Sequence, residues 1–316
     1  MPSAHPSWSE RLPLKGGGGE SIDLRRTISS HGLASLPPMF PDHDASTLVM
    51  TIEVGSGRAR TVQVEPGGPR SALVTVKGAA PGKATGERIV DRVRHVLRLD
   101  EDLSPFYEVA REDPELAWVT SGAGRMVRSP TVFEEIVKTV CTTNCAWGAT
   151  VRMVNALVEH LGTKAPRAPA EGVEGRAFPT PDAMAGAGED FYRDVVRAGY
   201  RGRYFIALAE SVASGDLDVE ELGRATADEV ADDELEARLL ALPGVGPYAA
   251  AHVMMMLGRY SRLILDSWTR PTYARLQGRR ALKDSTILKR WRRYGDYAGL
   301  AFWLYLTKSW VDDGSG

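Results

Sequence analysis

LPGVGPYAAAHVMMMLGRYSRLILD, residues 242–266, decides how this chain is read. Helical patterning over Glu234 to Leu242 runs straight into Pro243-Gly244-Val245-Gly246-Pro247, and helix resumes from Tyr248 to Leu257. Two helices joined by so tight a turn call for glycine twice, because Gly244 and Gly246 let the backbone bend sharply and approach a partner closely. The first turn of the second helix offers N–H groups that have no acceptor within the helix, which suits a phosphate. Read alone, the turn could equally be structural. Beyond it, Leu263-Ile264-Leu265 is an apolar run that buries the approach to Asp266, just ahead of another helical stretch. An aspartate there is either a helix N-cap or a carboxylate carried to the mouth of the turn, and its residue type leaves both open.

The 316 residues are 43% hydrophobic, enough for one large domain or two ordinary ones. The longest apolar stretch, Ala249 to Leu257, is broken by His252 and is much shorter than the ~20 residues that cross a bilayer. No membrane span is expected. The N-terminus lacks the apolar core of a secretory signal, so a cytoplasmic location is expected. Cys141 and Cys145 are the only cysteines, which excludes a four-cysteine zinc site, a self-contained iron-sulfur cluster and a disulfide framework; both read as core residues.

Net charge is -2, so the chain as a whole is no polycation. Its distribution is uneven. Asp216 to Glu236 holds ten acidic residues against Arg224 alone, whereas Arg279 to Arg293 holds seven Lys/Arg against Asp284 alone. The segregation either leaves one face able to meet a polyanion or reflects two solvated helix faces of opposite sign.

The hydrophobic period changes once along the chain. LVMTIEV (48–54), RTVQVE (60–65) and SALVTV (71–76) alternate as strands, separated by GSG and PGGP turn signals. From Glu87 onward, Ile89, Val90, Val93, Val96 and Leu97 mark a helical stripe, and helices are expected from there to the end. The expected fold is therefore α+β and mostly α. It comprises a flexible tail over 1–20 that includes the Gly16 to Gly19 run, a domain with an antiparallel β-sheet over 21–100, and an all-helical body over 101–316. No internal repeat is present.

With the turn and Asp266 in view, the chain resembles the helix-hairpin-helix superfamily of base-excision DNA glycosylases, whose signature is LPGVG, a second helix and an aspartate about twenty residues past the hairpin. The likeness extends over roughly Asp100 to Trp303. FEEIVKTVCTTNCAW (133–147) is similar to the family's helix and Asn-bearing loop, GYRGRY (199–204) to the segment that wedges into the duplex, and RRYGDYAGLAFW (292–303) to the closing helix. The nearest branch contains 3-methyladenine glycosylase II and 8-oxoguanine glycosylase, which also carry a β-rich N-terminal domain.

This resemblance implies a partner, duplex DNA containing a damaged base, and a DNA N-glycosylase activity with Asp266 as the catalytic carboxylate. It implies that the amides of Gly244, Gly246 and Ala249 grip a phosphate, that Asn144, Tyr200, Arg201 and Arg270 contact DNA, and that Tyr200 and Arg201 fill or prop the gap left by the base. Tyr248, Trp268 and Phe302 are candidates for the base pocket, with core packing the other reading of Phe302 and helix capping the other reading of Asn144. No cofactor and no iron-sulfur cluster are implied; a monovalent cation on the hairpin carbonyls is. A monomer is the default.

Departures from the pattern narrow the chemistry. Bifunctional members carry a lysine where this chain has Tyr248, and a phenol cannot form the Schiff base of strand cleavage. The expectation is a monofunctional enzyme acting on alkylated purines first, with deaminated and oxidised bases behind them. Only Asn144 remains of a three-Asn loop, and Phe302 stands where the 8-oxoguanine branch has a glutamine. The competing readings are a non-enzymatic damaged-DNA-binding protein and a glycosylase/lyase that recruits Lys283 or Lys289.

Overall fold

A computed structural model describes residues 8–55 and 57–312. The first seven residues of the expected tail lie outside the described residues. Five strands, β1 (Ser9–Pro13), β2 (Met39–Pro41), β3 (Leu48–Glu53), β4 (Ala59–Gly68) and β5 (Ser71–Val76), form one antiparallel sheet in the order β1-β5-β4-β3-β2. The three central strands are those that alternation indicates. Val62 and Val64 of β4 and Val74 and Val76 of β5 turn to a buried face, because successive residues of a strand point to opposite sides.

The edge strands carried no such signal. Ser9–Pro13, expected within a flexible tail, instead pairs with β5 along its whole length. Its only buried residue is Leu12, since an edge strand needs only one hydrogen-bonded neighbour and little apolar surface. The Gly16 to Gly19 run is likewise a pinned turn, in which the Gly16 amide bonds the Glu20 carbonyl at 2.8 Å and the Gly17 amide bonds Glu101 at 2.8 Å. A Cβ on Gly17 would stand 2.6 Å from the Asp100 carbonyl, so only glycine allows that approach.

The helices are α1 (Leu24–Ile28), α2 (Lys83–Leu97), α3 (Ser104–Arg111), α4 (Val132–Thr142), α5 (Trp147–Leu161), α6 (Pro181–Ala185), α7 (Gly188–Asp190), α8 (Gly202–Ala213), α9 (Val219–Arg224), α10 (Asp232–Leu240), α11 (Pro247–Leu257), α12 (Thr269–Leu276), α13 (Asp284–Trp291), α14 (Ala298–Thr307) and α15 (Ser309–Asp312). Among the described residues no helix is long and apolar enough to cross a membrane. α2 closes the sheet's core with Ile89, Val93, Val96 and Leu97.

Two further cores make up the helical part, and α11 belongs to both. Ala249, Ala250, Val253 and Met254 face the core built on α4, α5 and α8, whereas Ala251, Met255 and Met256 face the one built on α3, α13 and α14. A helix apolar on every side is a helix buried on every side. Each of Met254, Met255 and Met256 is fully buried, worth roughly 1.5–3 kcal/mol per side chain relative to exposure. The tight turn at the start of α11 is therefore mounted on a helix that two cores enclose.

Where the N-terminal segment meets α4 and α11, five ionisable side chains are buried together: His31, Glu134, Glu135, Lys138 and His252. Lys138 pairs with Glu134 at 2.6 Å, and one Glu135 oxygen accepts the Ser129 amide at 2.9 Å. Burial holds the imidazoles of His31 and His252 below the ordinary histidine value of 6.5, His252 at about 4. His95 is held at about 3, first by burial and then by Arg128, whose guanidinium donates to its Nδ1 at 3.0 Å.

These three histidines bind fewer protons folded than unfolded, so the stability they contribute is complete above the unfolded value and is lost as pH falls below it. Thermal midpoints measured from pH 7.5 to 4 should decline steadily below 6.5. His95→Gln, which keeps an acceptor for Arg128 but cannot titrate, should flatten that decline; an unchanged slope would remove His95 from the account.

Candidate active site and nucleic-acid interface

α10 ends at Leu240, and the chain turns through Leu242 to Gly246 before α11 begins at Pro247. Gly244 adopts φ +80°, a left-handed conformation open to glycine and costly for other residues. A Cβ there would also lie 2.8 Å from the ring of Tyr204, so this turn packs directly on α8. Gly246 differs. Its φ is -104° and a Cβ would meet nothing within 4 Å, so neither backbone nor packing demands glycine. Among the described residues the amides of Gly244, Gly246, Tyr248 and Ala249 donate no hydrogen bond, and the first bond of α11 runs from Ala250 to the Gly246 carbonyl at 2.9 Å.

The turn forms one wall of an open cleft of about 900 Å³. Thr142 to Cys145, Tyr200 and Tyr204 face it, and Leu265, Asp266, Ser267 and Arg270 complete it. Asp266 proves to be both a cap and a cleft residue. Its Oδ1 accepts the amides of Trp268 and Thr269 at 2.8 and 2.6 Å, while its own amide donates to Thr269 Oγ1 at 2.8 Å. That reciprocal bonding fixes the side chain, and among the described residues Oδ2 accepts no hydrogen bond.

Tyr248 stands beside it, half-buried, with its phenol oxygen 3.1 Å from Thr142 Oγ1. Burial pushes the phenol above its usual value, and the Asp266 carboxylate acts in the same direction, against the Thr142 bond. Tyr248 is thus a neutral ring at neutral pH.

Across the cleft, Tyr200 is 48% exposed, with its hydroxyl accepting from Asn144 Nδ2 at 3.3 Å. Asn144 has φ +47° and caps no helix. Tyr204, which the sequence reading passed over, meets Tyr200 edge-on with ring centroids 6.0 Å apart and so connects Tyr200 to Gly244. The four-residue spacing of the two tyrosines in GYRGRY was the available signal.

Three expected site residues lie elsewhere. Phe302 is 0% exposed and packs between Tyr273 and Trp291, each 5.6 Å away centroid to centroid. It belongs to the core, because α14 is enclosed on all sides. Trp268 does not line the cleft and meets Trp303 and Trp310 at tilted and edge-on angles, with centroids 5.6 and 5.5 Å apart. Arg201 is buried, donates to the Thr143 carbonyl and lies 4.6 Å from the Tyr200 ring centre, so it braces the loop from within. Arg270 does line the cleft, held by a two-point ion pair to Asp284 at 2.8 and 2.9 Å. Lys283 and Lys289 are exposed and do not line it. Cys141 is buried as expected, whereas Cys145 is half-buried and lines the cleft.

No family model matches the chain. It is 26% identical over 182 residues to a DNA-3-methyladenine glycosylase of Bacillus subtilis (strain 168), an alignment covering 55% of each chain. The chain therefore spans about half the length of that curated relative. The fold is similar along nearly its full length to 3-methyladenine DNA glycosylase from Archaeoglobus fulgidus, with a TM-score of 0.71, 20% identity and coverage of 94% of this chain and 98% of that one. The chain is thus similar in sequence to one DNA glycosylase and in fold to another. A second likeness in fold is to the apo form of Clostridium acetobutylicum 8-oxoguanine glycosylase/lyase, with a TM-score of 0.68, 19% identity and coverage of 92% and 94%.

The two hairpin glycines should separate in stability measurements. Gly244→Ala is expected to cost about 1–3 kcal/mol in urea unfolding, because it combines left-handed strain with contact against Tyr204. Gly246→Ala is expected to cost less than about 1 kcal/mol. Equal losses would contradict the packing of Tyr204 on the turn.

Proposed function

We propose that the chain is a monofunctional DNA N-glycosylase that hydrolyses the N-glycosidic bond of a damaged base, an alkylated purine first among candidates, flipped from duplex DNA. The observation that carries this reading is the convergence, in one cleft, of the Asp266 carboxylate, the unbonded amides at the start of α11 and the ring of Tyr248.

Backbone amides at a helix N-terminus favour a phosphate without side-chain charge, which answers the objection of a net charge of -2. Gly244, Gly246 and Ala249 would hold the strand, with Tyr200 and Asn144 set against the duplex across the cleft and Arg270 at its rim. The carbonyls of Gly244 and Val245 accept no hydrogen bond among the described residues. They are oxygen donors of the kind a hard cation takes, and a monovalent ion there would fit beside a phosphate.

In the reaction, the C1′–N bond breaks and its electron pair leaves with the base, building positive charge on the deoxyribose. A carboxylate fixed beside the sugar stabilises that charge and orients a water, which bonds to C1′ and gives its proton to the carboxylate and so to solvent. Asp266 would serve both roles, a reading supported by its Oδ1 being held by two amides while Oδ2 accepts no hydrogen bond among the described residues. An alkylated base carries positive charge, so the electron-rich Tyr248 ring attracts it by a cation–π interaction. Tyr248 also offers no amine for strand cleavage, and neither Lys283 nor Lys289 lines the cleft.

Release assays on duplexes carrying single defined lesions test the proposal. Asp266→Asn is expected to keep duplex binding and to lower release by at least about a hundredfold. Undiminished release would exclude Asp266 from the chemistry, and binding with no release of any lesion by the wild-type chain would favour a damage-binding protein. Borohydride is expected to trap no covalent DNA adduct; an adduct would reveal a lyase. Gly246→Ala, a nearly neutral change for the fold, should weaken DNA binding if a phosphate approaches that amide.

A further inference from the structure

Asp266, Tyr248 and the hairpin amides account for the proposed chemistry without using the groups directly behind them. One turn along α11 from Tyr248 lies the ring of His252, with centroids 6.3 Å apart and planes inclined at 35°. His31 meets His252 edge-on at 5.7 Å and 75°, so three rings form a file from the cleft into the core. His252 is 3% exposed, and no partner bonds its Nε2. The carboxylate oxygen Glu135 Oε1 lies 3.9 Å from it and also has no hydrogen-bond partner. His31 donates from Nε2 to the Val127 carbonyl at 2.6 Å, which leaves its Nδ1 an acceptor with no donor.

Buried polar atoms without partners are rare and cost stability, and a phenylalanine at 252 would offer the same ring without the orphaned nitrogen. We propose that His252 is a positioning residue for Tyr248: the neutral imidazole supports the phenol ring where it faces the cleft, and on taking up a proton it is drawn across the gap to Glu135 and away from Tyr248. The consequence for base release rests on the glycosylase reading. The ring movement does not.

Charged and titratable groups face His252 from each neighbouring element. α4 contributes Glu135 and, behind it, the Glu134–Lys138 pair; the N-terminal segment contributes His31; the loop before α12 contributes Asp266; and Tyr248 lies on the same helix. Burial and then His31 disfavour the imidazolium, whereas Glu135 and Asp266 favour it. The outcome is a neutral ring at neutral pH that can take up a proton on acidification.

The full chain labelled with 3-fluorotyrosine, its Tyr248 resonance assigned with Tyr248→Phe, reads this directly by fluorine NMR. That resonance should move on acidification with a midpoint near the about 4 of His252, should move much less in His252→Phe, where only the Asp266 carboxylate still acts on the phenol, and should titrate at lower pH in Glu135→Gln. A wild-type resonance indifferent to pH while the fold persists, an equal titration in His252→Phe, or a midpoint raised by Glu135→Gln overturns the proposal. At neutral pH, His252→Ala, or His252→Gln if the alanine variant does not fold, should lower kcat for lesion release about tenfold with KM within about twofold, and His252→Phe should restore it. Equal loss in His252→Phe overturns ring support. If the wild-type chain releases no base, the glycosylase reading fails by itself and the fluorine titration still decides the role of His252.

Discussion

The enclosure of α11 is the constraint on which the rest of this structure depends. A helix shared between two cores can neither tilt nor slide without opening one of them, so the turn at its N-terminus is anchored to both. Precision at that turn matters because backbone amides cannot adjust as long side chains do. Their direction is the direction of the helix. The cleft residues are then brought to this fixed point from other elements: Thr142 to Cys145 from the end of α4, Tyr200 from the turn before α8 and Tyr204 from its start, and Asp266 from the loop into α12.

Two contacts join these elements into one surface. Tyr204 packs on Gly244, tying the exposed ring of Tyr200 to the hairpin, and the phenol of Tyr248 meets Thr142 across from Asp266. Asp266 itself shows that capping a helix start and lining the cleft are compatible. Capping uses one oxygen and orders the side chain, and the order so obtained is what a carboxylate needs if it is to meet developing charge without rearranging. The buried array behind α11 costs more than an apolar core would, through desolvation of five ionisable groups and several unmade hydrogen bonds. In return it knits the segment around His31, the N-terminal half of α4 and the middle of α11, three stretches far apart in sequence.

Much of this was legible in the chain itself. Alternation set the three central strands, Gly244 set the turn, and the apolar run before Asp266 set its delivery to the cleft mouth. These are local signals, written within one element and its neighbours. Phe302, Trp268 and Arg201 lie off the cleft lining, and the sequence could not say so, because an aromatic or arginine residue near a site looks the same there whether it faces the cleft, the core or the back of a loop. β1 was missed because an edge strand with one buried residue has no pattern to read.

By itself, then, the sequence determined the α+β architecture, the two-helix turn and the carboxylate twenty residues beyond it, since each depends on backbone geometry and hydrophobic period. Only the tertiary structure decided that Tyr204 backs Gly244, that Arg201 is an internal brace, and that His31, Glu135 and His252 lie together behind Tyr248. Such contacts join residues separated by tens to hundreds of positions, and no local preference records them; they exist because burying α11 on every side forces those surfaces to meet.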